Sequence, residues 1–235
     1  KAVYPITQAA GQLFLPDYVR AEFVNLQIPS EAGLVTETSD QRYPIGVQLK
    51  KAGKLYRYCK AASAMTARGF PKYNNLICPG KAGNSLASGY EAAAYAAIVA
   101  GQEYFDITDT AAALNEYEGA YAVWYDDTNA VYEDYEVIGN DASTGVYTRL
   151  YIAPPGFKGA HAAAVQVTVY RNPYIAIAGS ATGSGGYKPY LGYAKFSITS
   201  AYYFWLQTAG RISGITGAST WPGQTIYQRD VYFNT

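Results

Sequence analysis

The sequence predicts an all-β protein, an antiparallel sandwich or barrel with an extended N-terminal arm and at most one or two short helices. Short apolar segments recur at close spacing and are separated by Gly, Pro, Asn and Asp. Several of them alternate apolar and polar residues, as in residues 146–152 and 165–170. The pattern does not alternate strands with long helices, which argues against a parallel α/β sheet. A length of 235 residues fits one large all-β domain or two small ones.

The N-terminal arm is predicted over residues 1–40. These residues show no clear period and mix short extended pieces with polar spacers. Three prolines in the segment favour extended backbone, because proline lacks an amide donor and restricts the residue before it. We expect the arm to lie over the same subunit or over a neighbour. Residues 41–235 form the predicted β-rich domain, with a possible seam in the irregular segment 61–90.

The first hairpin is predicted within residues 41–60. Residues 45–49 and 55–59 alternate, and the Ala52-Gly53-Lys54 segment between them can turn. A second hairpin is predicted around residues 127–130. The strands predicted after the first hairpin are 104–108, 120–126, 131–138, 146–152, 165–170, 174–178, 190–198, 201–208 and 226–233.

Residues 91–100 are the one helix candidate. Alanine favours helix, Ser88 could cap the start, and Gly101 could close the end. An apolar extended segment is the alternative interpretation of the same residues.

Charge, apolar content and cysteine number exclude several classes of protein. Lys and Arg total 18 and Asp and Glu total 18, without a basic run, which argues against nucleic-acid binding. No apolar run approaches the roughly 20 residues that span a bilayer, and no signal-peptide pattern opens the sequence. Lys1 at the start, with Met65 as the only methionine, indicates either a terminus matured by proteolysis or missing first residues. Cys59 and Cys78 match no zinc spacing and are expected to be free thiols, with a bridge between them as the alternative.

Residues suited to catalysis or metal binding are few. His161 is the only histidine and lies in a predicted loop, which disfavours Ser-His-Asp or Cys-His catalysis and excludes a two-histidine metal site in one chain. We expect no catalytic residue, no cofactor and no metal. A carboxylate cluster is interpreted as a solvated strand face, with calcium binding and glycoside hydrolysis as alternatives. It consists of Asp126, Asp127, Glu133, Asp134 and Glu136, of which Glu133 and Asp134 must face opposite sides of a strand.

Tyrosine is the most distinctive part of the composition, with 25 residues. It is favoured in strands and suits interfaces, because its ring is apolar and its hydroxyl polar. Residues 201–208 contain four consecutive aromatics, which predicts core on one side and core or a partner on the other. A sugar-binding platform is the alternative. The residues predicted for interface or packing are Tyr202, Tyr203, Phe204, Trp205, Tyr56, Tyr58, Tyr174 and Phe14.

Six motifs occur in a set order over about residues 41–212. They are Arg42-Tyr43-Pro44-Ile45-Gly46, Leu55-Tyr56-Arg57-Tyr58-Cys59-Lys60-Ala61, an Ala-rich stretch leading into Tyr104-Phe105-Asp106-Ile107-Thr108, Tyr117-Glu118-Gly119-Ala120-Tyr121-Ala122-Val123, Asn172-Pro173-Tyr174, and Ala201-Tyr202-Tyr203-Phe204-Trp205-Leu206-Gln207-Thr208-Ala209-Gly210. In this order they resemble the virion structural proteins of tailed phages, in particular head decoration (cement) proteins.

The resemblance implies a non-enzymatic, β-rich protein that binds the outside of an icosahedral capsid. It implies the major capsid protein as partner, a homotrimer or other homo-oligomer, and synthesis in the host cytoplasm before placement on the capsid surface. An extended arm could add a strand to a neighbour or to the capsid protein. The alternatives are a carbohydrate-binding or fibre-type adhesion domain, a hydrolase using the 126–136 carboxylates, and a filament or surface-layer subunit.

Overall fold

The computed structural model describes residues 6–8, 11–15, 23, 26–65, 72–73, 91–126, 131–178, 191–213 and 230–231. Within these residues the chain is all-β, as predicted, and the 3₁₀ turn Gly33–Val35 is three residues long. No helix in this part of the chain is long and apolar enough to cross a membrane. The strands are β1 (Ile6–Gln8), β2 (Gly11–Phe14), β3 (Gln48–Lys51), β4 (Lys54–Lys60), β5 (Lys72–Tyr73), β6 (Glu91–Ala93), β7 (Tyr104–Ile107), β8 (Ala120–Asp126), β9 (Val131–Asn140), β10 (Thr148–Ile152), β11 (Gln166–Tyr170), β12 (Ile177–Ala178), β13 (Tyr203–Ala209), β14 (Ile212–Ser213) and β15 (Asp230–Val231).

The chain divides into two compact units. Unit 1 consists of residues 1–74 and 173–235, and unit 2 consists of residues 75–172. Unit 2 is therefore inserted into the sequence of unit 1. The first boundary, between residues 74 and 75, falls within the irregular segment 61–90.

Unit 1 is built on a five-stranded antiparallel sheet with the strand order β1-β2-β3-β4-β13. β3 and β4 form the hairpin predicted within residues 41–60. Its turn residues Ala52 and Gly53 have φ of 49° and 72°, the positive values that a two-residue turn of the I′ kind requires. Two short pairs, β5 with β12 and β14 with β15, complete the described strands of this unit.

The described strands of the N-terminal segment join this sheet. β2 pairs with β3, placing Leu13 opposite Leu49, and β1 pairs with β2. Leu13 is fully buried. Of the two locations left open for the arm, these strands therefore lie on the same subunit.

Both faces of the unit 1 sheet carry a core. The alternation along β13 places Trp205 on one face and Phe204 and Leu206 on the other, so each face receives large apolar side chains. One core contains Leu13, Leu34, Ile45, Val47, Leu49, Tyr56, Tyr58 and Trp205. The other contains Cys59, Ala61, Met65, Ile177, Ala194, Ile198, Phe204 and Leu206.

Unit 2 is a curled six-stranded sheet with the order β6-β11-β8-β9-β10-β7. Its β8–β9 hairpin lies where a hairpin was predicted. The two edge strands approach each other, because Ala94 forms a bridge with Ile107 and Tyr95 N donates to Asp106 O at 2.7 Å. The curl encloses an apolar core that includes Phe105, Ile107, Trp124, Val137, Leu150, Phe157, Val167 and Val169.

Two predicted elements are wrong. Residues 91–100 are not a helix: β6 covers Glu91–Ala93 and a turn follows. Ala94 N donates to Val165 O and Ile98 N donates to His161 O, so pairing with other segments overrides the weak helix preference of alanine.

Residues 190–198 are not a strand, since their described part makes only isolated bridges. The strand predicted at 174–178 shortens to β12, and most of 226–233 lies outside the described residues.

Candidate interaction surface

The chain has a formal net charge of zero, but its two units carry opposite net charges. Unit 1 contains 14 Lys and Arg and 6 Asp and Glu, a formal charge of +8. Unit 2 contains 4 Lys and Arg and 12 Asp and Glu, a formal charge of −8. The sequence prediction missed this partition because a charge sum over the whole chain does not show where an inserted unit begins and ends.

The outward face of the unit 2 sheet carries a group of tyrosines. Tyr170 of β11 lies opposite Tyr121 of β8, and Tyr151 of β10 lies opposite Tyr104 of β7. Tyr121 and Tyr170 are each 46% exposed, whereas their strand neighbours Ala122 and Val169 point into the core. We call the tyrosine face the surface formed by Tyr104, Tyr121, Asp134, Glu136, Tyr151 and Tyr170.

Carboxylates fix two hydroxyls of the tyrosine face. Tyr121 Oη donates to Asp134 Oδ2, and Tyr151 Oη donates to Asp141 Oδ2 at 2.8 Å. Each acceptor stabilises the neutral phenol, so the pKa of Tyr121 and the pKa of Tyr151 are raised, first by these hydrogen bonds. Both rings therefore remain neutral donors well above physiological pH and are held in one orientation.

An ion pair fixes a third ring of the same face. Arg149 Nε and Nη2 donate to Asp106 Oδ1 and Oδ2 at 2.8 and 3.0 Å, a two-pronged contact. The guanidinium carbon lies 4.2 Å from the centroid of the Tyr104 ring. The hydrogen bonds that Arg149 donates to the Asp106 carboxylate raise the pKa of Arg149. Asp106 neutralises this guanidinium, and the carboxylates of Asp134 and Glu136 on β9 also belong to the face.

The end of the β3–β4 hairpin in unit 1 carries the opposite charge. We call it the lysine hairpin, defined by Lys50, Lys51 and Lys54. Lys51 Nζ donates to Pro29 O at 2.7 Å and lies 3.5 Å from Glu31 Oε1, so this buried ammonium has partners. Lys50 is exposed and Lys54 is half-buried. An open pocket of about 550 Å³ lies beside the hairpin, lined by Gly11, Gln12, Glu31, Lys50, Lys51, Ala52 and Gly53.

The residues predicted for interface or packing occupy three environments in unit 1. Tyr56, Tyr58, Phe204 and Trp205 are buried. Tyr174, Tyr202 and Tyr203 are half-buried. Phe14 of β2 is 38% exposed.

Trp205 is the centre of an aromatic cluster. Its ring centroid lies 5.0 Å from that of Tyr43 and 5.2 Å from that of Tyr58. Tyr58 stacks on Tyr203 with centroids 6.1 Å apart, and Lys60 Nζ lies 5.4 Å from the Tyr203 centroid. Tyr43 was missed as a packing residue, although it lies in the first of the six ordered motifs.

A polar cluster lies inside unit 2. His161 is buried, with its Nε2 3.2 Å from Glu133 Oε2, and Tyr135 Oη donates to the same carboxylate oxygen. The imidazole stacks on Trp124 with centroids 5.2 Å apart. Burial, followed by the hydrogen bond to Glu133, raises the pKa of Tyr135 to about 12. The only histidine of the chain is therefore part of the core, where it is inaccessible to a macromolecular substrate.

The predicted carboxylate cluster is divided between the two sides of the sheet. Glu133 points into the core and Asp134 points outward, which confirms that these neighbours face opposite sides. Asp127 and the side chain of Asp126 lie outside the described part of the chain. Among the residues that the structure describes, no group of three or more His, Cys, Asp and Glu is placed to hold a metal ion.

Cys59 is a buried free thiol on β4. Its Sγ donates to Arg57 O at 3.2 Å, and burial raises the pKa of the thiol well above its usual range. The thiol is therefore protonated and unreactive at neutral pH. Cys78 lies outside the described residues.

Comparison of the chain with protein-family models, with curated proteins and with solved structures found no match.

Proposed function

We propose that the protein is a non-enzymatic structural subunit of a virion, a decoration protein that binds the outer surface of a capsid and stabilises the shell. The observation that carries the proposal is the tyrosine face. Tyrosine is enriched in protein interfaces and among the residues that contribute most binding energy. Four tyrosines on one side of a rigid sheet give such a surface to unit 2.

The tyrosine face is also preorganised. Ordering a mobile side chain on binding costs about 0.5–1.5 kcal/mol. Asp134, Asp141 and Arg149 already hold the rings of Tyr121, Tyr151 and Tyr104 in the free chain. Part of that cost is therefore met before a partner arrives, which suits a subunit that must bind a shell firmly.

The order of the six motifs supports the decoration role in particular. In this proposal the partner is the major capsid protein, the subunit acts as a homotrimer or other homo-oligomer, and its location is the capsid surface. Neither nucleic acid nor membrane takes part. The sheet of unit 1 carries a core on each face, which suits a stable structural subunit.

Carbohydrate binding is the second candidate, and a specific observation favours it. Tyr121 and Tyr170 are exposed side by side on adjacent strands, with Asp134 and Glu136 on the next strand. Aromatic faces pack on sugar rings, and carboxylates accept hydrogen bonds from sugar hydroxyls. The same surface would then belong to an adhesion domain. A filament or surface-layer subunit would use it for packing between copies.

Electron microscopy of the native assembly tests these candidates directly. The decoration role predicts density for the protein on the outside of capsids, and a filament or a two-dimensional lattice in its place would contradict it. A glycan array with the purified full chain tests the second candidate, because adhesion predicts glycan binding without affinity for capsids.

Variants link the result to the tyrosine face. Tyr121→Ser with Tyr170→Ser is expected to reduce capsid binding at least about tenfold while thermal unfolding changes little, because both rings are exposed. Val99→Ser, at an exposed position outside the sheet, is the control and is expected to bind as the unaltered chain does. Equal binding by all three proteins would remove the tyrosine face from the proposal.

A further inference from the structure

We infer that Tyr95 and Tyr147 form a site of oxidative cross-linking, at which a haem peroxidase with hydrogen peroxide joins the two rings as dityrosine. Both residues belong to unit 2. The inference goes beyond the proposed function and does not depend on it, because it involves neither a capsid nor binding at the tyrosine face.

Contact between the two rings is the first reason. The rings of Tyr95 and Tyr147 are stacked, with centroids 4.9 Å apart and an angle of 25° between their planes. Stacking is a common way for aromatic side chains to pack. It also places two phenols side by side, so radicals formed on both rings lie in contact with each other rather than with solvent alone.

Strand pairing holds the two tyrosines together. Ile107 of β7 pairs with Ala94 on one side and with Thr148 of β10 on the other. Tyr95 follows Ala94 and Tyr147 precedes Thr148, so the backbones of the two tyrosines lie on opposite sides of β7. Their rings nevertheless touch. The contact is therefore set by the fold of unit 2.

The pair is also accessible to an oxidant. Tyr95 is 47% exposed and Tyr147 is half-buried, and the structure shows no hydrogen bond from either hydroxyl to a described residue. An external oxidant can reach the rings, and water can accept the phenolic protons. The ring contacts Tyr43–Tyr58 and Tyr58–Tyr203 differ in this respect, because both include Tyr58, which is 2% exposed.

The chemistry consumes one molecule of hydrogen peroxide for each cross-link. Each phenol gives up one electron and its hydroxyl proton, which leaves a radical shared between the oxygen and the ring. A carbon–carbon bond forms between one Cε atom of each ring, and the protons on these carbons move to the oxygens and restore both phenols. Hydrogen peroxide takes up the two electrons and two protons and becomes two molecules of water. Partly exposed side chains turn rapidly, so the stacked rings can slide until the Cε atoms meet.

The cross-link would strengthen the closure of the curled sheet. The edge strands approach each other through two hydrogen bonds, from Tyr95 N to Asp106 O at 2.7 Å and from Thr108 N to Ala93 O at 3.3 Å. A bond between the tyrosine rings ties the chain across β7 and closes a loop over residues 96–146. Cross-links that close long loops restrict the unfolded chain strongly. We therefore expect local opening between the edge strands to become rarer.

Peptide mapping of the purified full chain identifies the cross-link. The protein is oxidised in dilute solution with a haem peroxidase and hydrogen peroxide, and the monomer is cleaved after acidic and basic residues. Peptides 92–103 and 142–149 each contain one tyrosine, so a product joining them defines the site. We expect this product, lighter than the two free peptides by two hydrogen atoms, to be the main cross-link within the chain.

Phenylalanine variants supply the controls, because they keep the ring and remove the hydroxyl that forms the radical. Tyr95→Phe and Tyr147→Phe are each expected to lower the dityrosine fluorescence of the oxidised monomer at least about fivefold, since the reaction depends on proximity. Tyr121→Phe with Tyr170→Phe is the matched control. It removes two tyrosines that are each 46% exposed, and it is expected to give the same cross-linked peptides as the unaltered chain.

Hydrogen exchange tests the effect on the sheet. The amides of Tyr95 and Thr108 are expected to exchange at least about fivefold more slowly in the oxidised chain than in the untreated chain, and to be unchanged in oxidised Tyr147→Phe. Absence of the joined peptides would overturn the inference, as would equal fluorescence in the single variants and the unaltered chain. Joined peptides without slower exchange would overturn the predicted strengthening of the sheet closure.

Discussion

His161 Nε2 lies 3.2 Å from Glu133 Oε2 inside the six-stranded sheet of unit 2. Tyr135 donates its hydroxyl to the same carboxylate oxygen and accepts a hydrogen bond from Lys158 N at 2.9 Å. A buried carboxylate is costly unless hydrogen bonds satisfy it. The cluster therefore fixes the positions of three side chains in an otherwise apolar core.

Removing the carboxylate of Glu133 should reduce the stability of the folded chain. Glu133→Ala leaves the hydroxyl of Tyr135 and Nε2 of His161 without their shared partner, and we expect a loss of about 1–3 kcal/mol in the free energy of unfolding. Urea denaturation of the full chain measures this loss. Asp134→Ala, at the exposed neighbouring position, is the control and is expected to cost under about 1 kcal/mol.

A double-mutant cycle measures how much the Tyr135–Glu133 hydrogen bond itself contributes to stability. Tyr135→Phe and Glu133→Gln are combined, and the coupling between them is expected to be about 0.5–3 kcal/mol. Strict additivity of the two single changes would show that the Tyr135–Glu133 hydrogen bond contributes nothing to stability.

The same tyrosine should make stability depend on alkaline pH. The pKa of Tyr135 is about 12 in the folded chain and about 10 in the unfolded chain. The folded state therefore holds this proton more tightly, and the contribution is complete below about pH 10 and lost as the pH rises through 12.

Other tyrosines also titrate in this range, so a comparison with Tyr135→Phe isolates the effect. The difference in unfolding free energy between the unaltered chain and the variant is expected to shrink as the pH rises from about 10 to 12. Thermal unfolding followed by circular dichroism at each pH gives this difference. If the difference in unfolding free energy stayed constant over this pH range, the raised pKa of Tyr135 would be contradicted.

Trp205→Ala should strongly destabilise unit 1. The side chain is 3% exposed and packs against Tyr43 and Tyr58, so truncation removes a large apolar contact and leaves a cavity. We expect a loss of about 3–5 kcal/mol in denaturant unfolding, and reduced particle binding as a result. Phe14→Ala, on the same sheet but partly exposed, should cost much less. Unchanged stability and binding in Trp205→Ala would contradict the role of this residue.

Gly192→Ala tests how closely the backbone at residue 192 packs against Leu206 and Gln207 of β13. A methyl group at residue 192 would lie 2.5 Å from Gln207 O and 2.8 Å from Leu206 Cγ, so the segment would have to move away from the strand. We expect a loss of about 1–3 kcal/mol, measured by thermal unfolding. Gly33→Ala meets its nearest atom at an ordinary 3.4 Å and should be close to neutral. If Gly192→Ala and Gly33→Ala changed thermal stability equally, residue 192 would not be tightly packed against β13.

Local patterns predicted five of the six strands of unit 2, all except β6. β10 and β11 alternate buried and less buried residues, and this period of two is visible in the sequence because one face of each strand packs on the core. The β3–β4 hairpin was predictable for a related reason, since Gly53 supports the turn between two alternating segments.

Relationships between distant segments were not predictable. Ala94 and Ile98 belong to an Ala-rich stretch that favours helix locally, and hydrogen bonds to distant segments, among them those to Val165, His161 and Asp106, hold the chain extended. The Glu133–His161 contact likewise joins a strand to a segment far along the chain. The charge partition depends on the limits of the inserted unit, which depend on the pairing of β4 with β13.

The insertion of unit 2 also sets an order of events during synthesis. Residues 75–172 emerge as one continuous stretch and contain all six strands of their sheet, so we expect them to fold before synthesis is complete. β4 must wait for β13, because Trp205 pairs with Tyr58 across the whole of the inserted unit. During synthesis the middle of the chain can therefore fold while β4 still lacks β13 as its neighbour, and that exposed β4 edge is the point most open to mispairing.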